Sequence, residues 1–344
     1  MKHNILILGS TGKLGNKLFN YCVKHDIYDL TITAYKNKKK LNKQKNILKN
    51  KNYFCLSNEF ERIKFLKLIK LKKFKIIYFL DYGAQSLVYI DSLIKNNINS
   101  YFAIANKELL IAGGYLLIKK LKFNKHTLIP LDSEHFSLYR SDPKNKEIEK
   151  LYITASGGPF YFRPKINLDK VSFEEVIKHP KWNMGYNNSI DSSNFINKVL
   201  EIFEVSLIYD IDISKIDFLI SKEAFIHSLI CYNDKSVSIN CFPNDMLISL
   251  VKPLTYLYKL PNLNINNSNY LNLKYLKLEK FDDNRFKISK FLKKIKEFDH
   301  KKIIKFMILN NIAHQKYIKG LLNYNDIIKF IMANIEDHSK FKLK

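Results

Sequence analysis

Short apolar runs alternate with amphipathic stretches through the first third of the chain. Residues 5–8, Ile-Leu-Ile-Leu, read as a buried strand, followed by a glycine turn over 9–15 and an amphipathic helix reaching about Lys24. Further apolar runs at 30–34, 76–80, 101–105 and 127–131 read as strands with helical patterns between them. Strands that alternate with helices predict a parallel, doubly wound sheet. From Leu151 the texture changes to glycine and proline punctuation, at Gly157-Gly158-Pro159, His179-Pro180 and Gly185. Alternation over 236–241 predicts a strand of a second, mixed sheet. The asparagine-rich stretch 261–272 lacks periodicity and reads as a linker. From about Asn284 the spacing of Ile288, Phe291, Leu292 and Ile295, then Ile303, Ile304 and Met307, is helical. The expected organisation is an α/β chain with a parallel-sheet domain over 1–132, a central α+β domain over 133–255, a linker over 256–283 and a C-terminal helical bundle over 284–344.

Composition narrows the partners. Of 344 residues, 58 are Lys or Arg and 32 are Asp or Glu, a formal charge of +26. Such a balance invites a polyanion, yet the arginines are only Arg62, Arg140, Arg163 and Arg285. Proteins that read nucleic-acid sequence lean on the bidentate guanidinium fork, which lysine lacks. Lysine, asparagine, isoleucine, tyrosine and phenylalanine rise together here, as expected of compositional drift, and no specific nucleic-acid partner is expected. The lysine-rich stretch 36–51 reads as a solvated loop or helix face. Cys22, Cys55, Cys231 and Cys241 form no CxxC pair, which fits a reducing compartment better than a disulfide framework. No signal-like segment precedes residue 5, and no apolar run approaches the ~18 residues that cross a bilayer. A cytoplasmic protein without a membrane partner is expected.

Two features carry chemistry. Gly9-Ser10-Thr11-Gly12-Lys13-Leu14-Gly15 sets glycines at i, i+3 and i+6 between a strand and a helix, as a Rossmann-type dinucleotide site requires. The second strand ends in Ala34-Tyr35-Lys36-Asn37, with no acidic residue for a free ribose hydroxyl. Lys36 and Lys38 suit a 2′-phosphate instead, so NADPH is expected over NADH. After the strand at 127–131 comes Asp132-Ser133-Glu134-His135, two carboxylates placed to face a crevice. Asn194, Asn197, Lys198 and Glu201 follow i, i+3, i+4, i+7 spacing and would share a helix face, which periodicity alone reads as solvated. Three carboxylate ligands with open positions would suit Mg²⁺ or Mn²⁺. His25, His126, His227 and His314 read as structural or surface histidines. A serine hydrolase is disfavoured because Thr154-Ala155-Ser156-Gly157-Gly158 lacks the first elbow glycine. Two rivals are a polyanion-binding protein on an old enzyme scaffold and another Rossmann-type NADP oxidoreductase such as a semialdehyde dehydrogenase. The second needs an activated cysteine, and no cysteine here sits in a suitable motif.

Taken together, several segments resemble one family, 1-deoxy-D-xylulose 5-phosphate reductoisomerase. They are Gly9-Ser10-Thr11-Gly12, Ala105-Asn106-Lys107-Glu108, Leu131-Asp132-Ser133-Glu134-His135 and Thr154-Ala155-Ser156-Gly157-Gly158-Pro159-Phe160. The longest runs from His179-Pro180-Lys181-Trp182-Asn183-Met184-Gly185 through Asp191-Ser192 and Asn197-Lys198 to Leu200-Glu201. The resemblance implies a homodimer that uses NADPH and Mg²⁺, Mn²⁺ or Co²⁺ to rearrange and reduce the ketose phosphate to 2-C-methyl-D-erythritol 4-phosphate. It implies Asp132, Glu134 and Glu201 as metal ligands, with Lys107 in the catalytic set. Ser133, Ser156, His179, Ser192, Asn197 and Lys198 would bind substrate, and Trp182 and Met184 would lie on a closing flap. Gly9, Ser10, Thr11, Gly12, Lys13, Leu14, Lys36, Asn37, Asn106, Glu108 and Gly185 would line the cofactor. On this reading the polar stripe faces a site, not water. The chain departs from the family at Tyr35, Asn187, Ser221-Lys222-Glu223-Ala224, Leu247 and Asn311, where Asn310-Asn311 stands for the usual Asn-Glu. These departures predict weakened rather than absent turnover.

Overall fold

The computed structural model describes residues 4–48, 52–143, 147–178, 185–263, 265, 276–281 and 284–336. They form two compact units, one made of 1–140 and 245–266, the other of 141–244 and 267–344. The helical C-terminal stretch thus groups with the central sheet, and a short segment after residue 244 groups with the N-terminal one.

The first unit contains β1 (Ile5–Leu8), α1 (Lys13–Lys24), β2 (Leu30–Ala34), α2 (Lys38–Leu48), β3 (Tyr53–Cys55) and α3 (Glu59–Leu71). It continues with β4 (Ile76–Phe79), α4 (Leu87–Asn96), β5 (Tyr101–Ile104), α5 (Lys107–Phe123), β6 (Thr127–Pro130) and α6 (Ser133–Ser141). The six strands are all parallel in the order β3-β2-β1-β4-β5-β6. β1, β2 and β4 are buried at every position, as continuous apolar strands covered on both faces must be. The order reverses between β1 and β4, so the ligand crevice opens at their carboxyl ends. Within the stretch 36–51, residues 38–48 take the helical alternative as α2, but not as a fully solvated face: Leu41, Gln44 and Leu48 form a buried stripe. β3 was not foreseen, being three residues flanked by lysine and asparagine.

The second unit contains β7 (Ile148–Ala155), α7 (Phe173–Ile177), α8 (Tyr186–Ser193), α9 (Ile196–Tyr209), β8 (Ile216–Ile220), β9 (Ile226–Tyr232) and β10 (Val237–Cys241). After α10 (Leu247–Val251), which belongs to the first unit, come β11 (Glu279–Lys280), α11 (Leu292–Lys296), α12 (His300–Ile318) and α13 (Asp326–Asn334). The sheet is mixed, in the order β10-β9-β7-β8-β11, with β7 parallel to β8 and antiparallel to β9. Phe195 packs 4.9 Å from Phe286 and 4.5 Å from Phe281, joining the start of α9 to the C-terminal stretch. Arg285 donates to the carbonyls of Arg163 and Tyr161, and Asn325 to the Asp169 carboxylate at 2.8 Å. These bonds explain why the C-terminal helices share a unit with the central sheet. Of the expected 256–283 linker, 261–263 and 265 form no regular element, and 264, 266–275 and 282–283 lie outside the described residues. Glu279–Lys280 is not linker: it forms β11, held antiparallel to β8 by sheet pairing.

Candidate active site

In the first unit, Gly9 to Gly15 forms the tight turn from β1 into α1. A side-chain carbon on Gly15 would stand 2.1 Å from the Gly9 carbonyl oxygen, so the close approach of turn and helix requires glycine there. Gly12 caps α1 without a side-chain hydrogen bond, and no acidic residue occupies the first turn. The N–H groups of that turn are therefore oriented for an anion. Thr11 and Leu14 are half-buried beside the exposed Gly12 and Lys13, whereas Ser10 is wholly buried. The Ser10 hydroxyl donates to Gln44 Oε1 at 2.7 Å, and Gln44 Nε2 donates back to the Ser10 carbonyl at 2.9 Å. Ser10 thus fixes the loop through its side chain and offers a ligand only backbone. Beyond β2, Lys36 and Asn37 are exposed, and Asn37 accepts from the Lys40 N–H at the start of α2.

At the carboxyl edge, α5 follows β5 and α6 follows the adjacent β6, so both helix starts face the same edge. Asn106 caps α5 by accepting from the Leu109 N–H at 2.8 Å and donates to the Gly83 carbonyl at 3.0 Å. Lys107 Nζ donates to Asp132 Oδ2 at 2.6 Å. Asp132 accepts from the Glu134 N–H at 3.4 Å, and the Ser133 hydroxyl donates to Glu134 Oε2. Lys107, Asp132, Ser133 and Glu134 therefore form one connected group, with the half-buried Glu108 next in the chain. Asp81, just past β4, escaped the sequence reading although an acid directly after an apolar strand run was its signal. Burial holds its carboxyl above the ordinary carboxylate range, against hydrogen bonds from Ser86 and Asn106.

In the second unit, β7 runs into Ser156 and the turn at Gly157-Gly158, both glycines at positive φ. A carbon on Gly158 would lie 2.8 Å from the Ser192 carbonyl oxygen, so the Ser156 turn lies directly against the end of α8. The expected helical stripe from Asn194 to Glu201 is interrupted at its start. Phe195 is left-handed at φ 66°, and Asn194 Oδ1 accepts from the Ile196 N–H at 3.0 Å, so Asn194 stands before α9 and not on its face. Burying the Phe195 ring among aromatics offsets that strained backbone. Asn197, Lys198 and Glu201 lie on α9, but not in water: Lys198 is 7% exposed and Glu201 1%. Lys198 Nζ donates to Glu201 Oε2 at 2.6 Å, and Asn197 Nδ2 donates to Glu201 Oε1. Behind them, His314 and Asn310 of α12 reach Asp191, the residue before Ser192. His314 carried only a structural reading in the sequence, and its Asp191 partner lies 123 positions earlier, beyond any local pattern. Gly185 is exposed at the start of α8; His179, Trp182 and Met184 lie outside the described residues.

Cys22 and Cys241 lack the lowered pKa that an activated nucleophile of the semialdehyde dehydrogenase kind needs. Burial pushes the Cys22 thiol up to about 12, and Cys55 Sγ donates to the Tyr35 carbonyl. Cys241 is likewise raised by burial.

Comparison with known proteins places this geometry. The family model for the 1-deoxy-D-xylulose 5-phosphate reductoisomerase C-terminal domain matches residues 128–209. A 1-deoxy-D-xylulose 5-phosphate reductoisomerase of Pelagibacter ubique is 32% identical, over 98% of this chain and 92% of that protein. The chain belongs to the 1-deoxy-D-xylulose 5-phosphate reductoisomerase family. A reductoisomerase of Endomicrobium trichonymphae is 28% identical over 97% of this chain and 92% of its own length. Among solved structures, a DOX-P reductoisomerase complex with NADPH, fosmidomycin and magnesium superposes with a TM-score of 0.85. It is 23% identical and covers 98% of this chain and 90% of that one. The Zymomonas mobilis reductoisomerase complex with NADPH gives a TM-score of 0.82 at 22% identity, over 98% and 93% of the two chains. The chain therefore has the family fold. No helix among its described residues is long and apolar enough to cross a membrane.

Proposed function

We propose that this chain converts 1-deoxy-D-xylulose 5-phosphate to 2-C-methyl-D-erythritol 4-phosphate, using NADPH and a divalent cation, in isoprenoid precursor synthesis. The observation that carries the reading is the buried polar turn of α9. Glu201 and Lys198 are buried, with the half-buried Asn197 bonded to the same carboxylate, on a helix whose periodicity alone would leave them solvated. Buried charge on a helix face is costly, and an enzyme site repays it.

The residues fit both bound groups. Asp132, Glu134 and Glu201 offer oxygen donors alone, which suits a hard divalent ion such as Mg²⁺ or Mn²⁺. The uncapped first turn of α1 and the close Gly9–Gly15 approach suit a pyrophosphate, and Lys36 suits a 2′-phosphate. When bound, the cation supplies Lewis-acid polarisation of the ketose carbonyl and neighbouring oxygen, and NADPH supplies the hydride. Lys198 and Asn197 bind and orient the phosphorylated substrate, with Ser192 and Ser156 donating to its phosphate or hydroxyl oxygens. Lys107 places a positive charge where negative charge develops on the substrate oxygens during rearrangement. Ser133 steadies Glu134, and Asn106 fixes the start of α5 that carries Lys107. By resemblance to the family, His179, Trp182 and Met184, which lie outside the described residues, would contribute to the substrate site.

We further infer a homodimer, supported by the edge strand β10, where Val237 and Ile239 are each more than half exposed on one face. Four free thiols support a reducing, cytoplasmic setting. The direct test is NADPH oxidation on adding the ketose phosphate, with and without Mg²⁺ or Mn²⁺. Turnover that requires all three components is expected. NADPH oxidation that ignores the cation would refute the cation's role.

A further inference from the structure

Glu201 presents a specific difficulty for a residue that must receive a cation. Both of its carboxylate oxygens are already occupied, one by Lys198 Nζ at 2.6 Å and the other by the Asn197 amide. The three side chains are neighbours on a single turn of α9, at i, i+1 and i+4. A carboxylate 1% exposed carries a large desolvation cost, which the Lys198 ammonium and the Asn197 amide offset. The first unit shows the same arrangement independently: Lys107 Nζ holds Asp132 Oδ2 at 2.6 Å, with both side chains largely buried.

We propose that Lys198 is a built-in placeholder for the divalent cation at Glu201, and that Lys107 plays the same part at Asp132. An ammonium and a divalent ion cannot share one buried carboxylate without strong repulsion, so the ion enters by expelling the lysine. Lysine suits the task because its compact charge rides on a flexible four-carbon stem, whereas a guanidinium fork would lock on in a bidentate grip. Expulsion has a second consequence. Lys198 and Asn197, released from Glu201 together, become free to take the oxygens of the anionic substrate. Cation binding and substrate binding are then coupled through one helical turn, and by linkage each ligand must tighten the other. The inference rests on the functional reading above, for it takes Glu201 as a cation ligand and Lys198 as a substrate contact.

The test is a Mn²⁺ titration of the full chain without NADPH or substrate, followed by the electron paramagnetic resonance signal of the free ion. Lys198→Met removes the competitor and is expected to tighten Mn²⁺ on the order of tenfold. Lys198→Arg keeps the charge and is expected to leave Mn²⁺ binding at or below the wild-type affinity. Should the methionine variant fail to fold, Lys198→Gln carries the same expectation. Lys107→Met tests the second pair and should also tighten the ion. Unchanged or weaker Mn²⁺ binding in the uncharged Lys198 variants would overturn the placeholder while leaving the cation site standing. Failure of wild type and variants alike to bind Mn²⁺ would instead overturn the cation site itself, and the two failures are thus distinguishable.

Discussion

The Nε2 atom of His314 stands 2.9 Å from Oδ1 of Asp191, and Asn310 donates to that same oxygen at 2.8 Å. All three side chains are buried in the second unit, and Asp191 immediately precedes Ser192, the residue proposed to meet the substrate's phosphate or hydroxyl oxygens. Asn310 directly precedes Asn311, a position where this chain departs from its family, and the Asn310 amide holds a buried carboxylate.

His314→Ala should therefore do more than leave a void. Losing one partner of a buried pair costs about 3 kcal/mol, which for a chain of 344 residues is roughly 4 °C in Tm. Asp191→Asn, which removes the charge itself, should cost less. A KM for the ketose phosphate that rises more than kcat falls, in the His314 variant, is the expected kinetic signature, since the damage lies behind Ser192.

A methyl group at Gly15 should be destructive. With 2.1 Å between the added carbon and the Gly9 carbonyl, the α1 start must move away from the turn. Gly15→Ala is expected to cost at least about 2 kcal/mol and to weaken NADPH binding at least about tenfold. Thermal unfolding and a titration of NADPH fluorescence measure the two effects.

His126 makes stability depend on pH. Its Nδ1 accepts from the Ser100 N–H at 3.2 Å and its Nε2 lies 3.0 Å from the Ile94 carbonyl, so the neutral ring is the one that fits. Burial lowers its pKa below the ordinary histidine value of 6.5, against the opposing bond to Ile94. The unfolded chain then binds a proton at a higher pH than the folded one. This contribution is complete above pH 6.5 and is lost as the pH falls below it. Melting curves taken from pH 8 downward should show Tm falling below that value, and His126→Phe should flatten that part of the dependence.

Edge strand β10 carries the prediction about assembly. Ile239, half exposed and apolar, is expected to lie in the contact between two copies. Ile239→Lys should shift the mass measured by light scattering from dimer to monomer, with the fold kept.

The first sheet was readable because its strands are buried on both faces and spell continuous apolar runs; 5–8 and 30–34 match β1 and β2 residue for residue. β3 was not readable, since its three residues gain their order from pairing with Ile32, Thr33 and Ala34 and not from a local pattern. The lysine run over 36–51 left α2 open between a loop and a helix face and hid its buried stripe, which includes Gln44, a polar residue whose partner Ser10 lies 34 positions away. The carboxylates at Asp132 and Glu134 were readable from their place after a strand. The environment of Glu201 was not: periodicity treats a polar stripe as solvated, and only the family resemblance pointed inward. The left-handed Phe195 that sets Asn194 before the helix has no signature in a sequence without glycine there.

The central claim, cation-assisted conversion with Glu201 as a ligand, is tested most directly by one comparison. Wild type and Glu201→Gln are assayed for NADPH oxidation with 1-deoxy-D-xylulose 5-phosphate and Mg²⁺, and both are checked for equal folding. Wild type should turn over only with substrate and cation together, and the glutamine variant should lose at least about 10³-fold, equivalent to about 4 kcal/mol. Full activity in the folded glutamine variant would contradict the account.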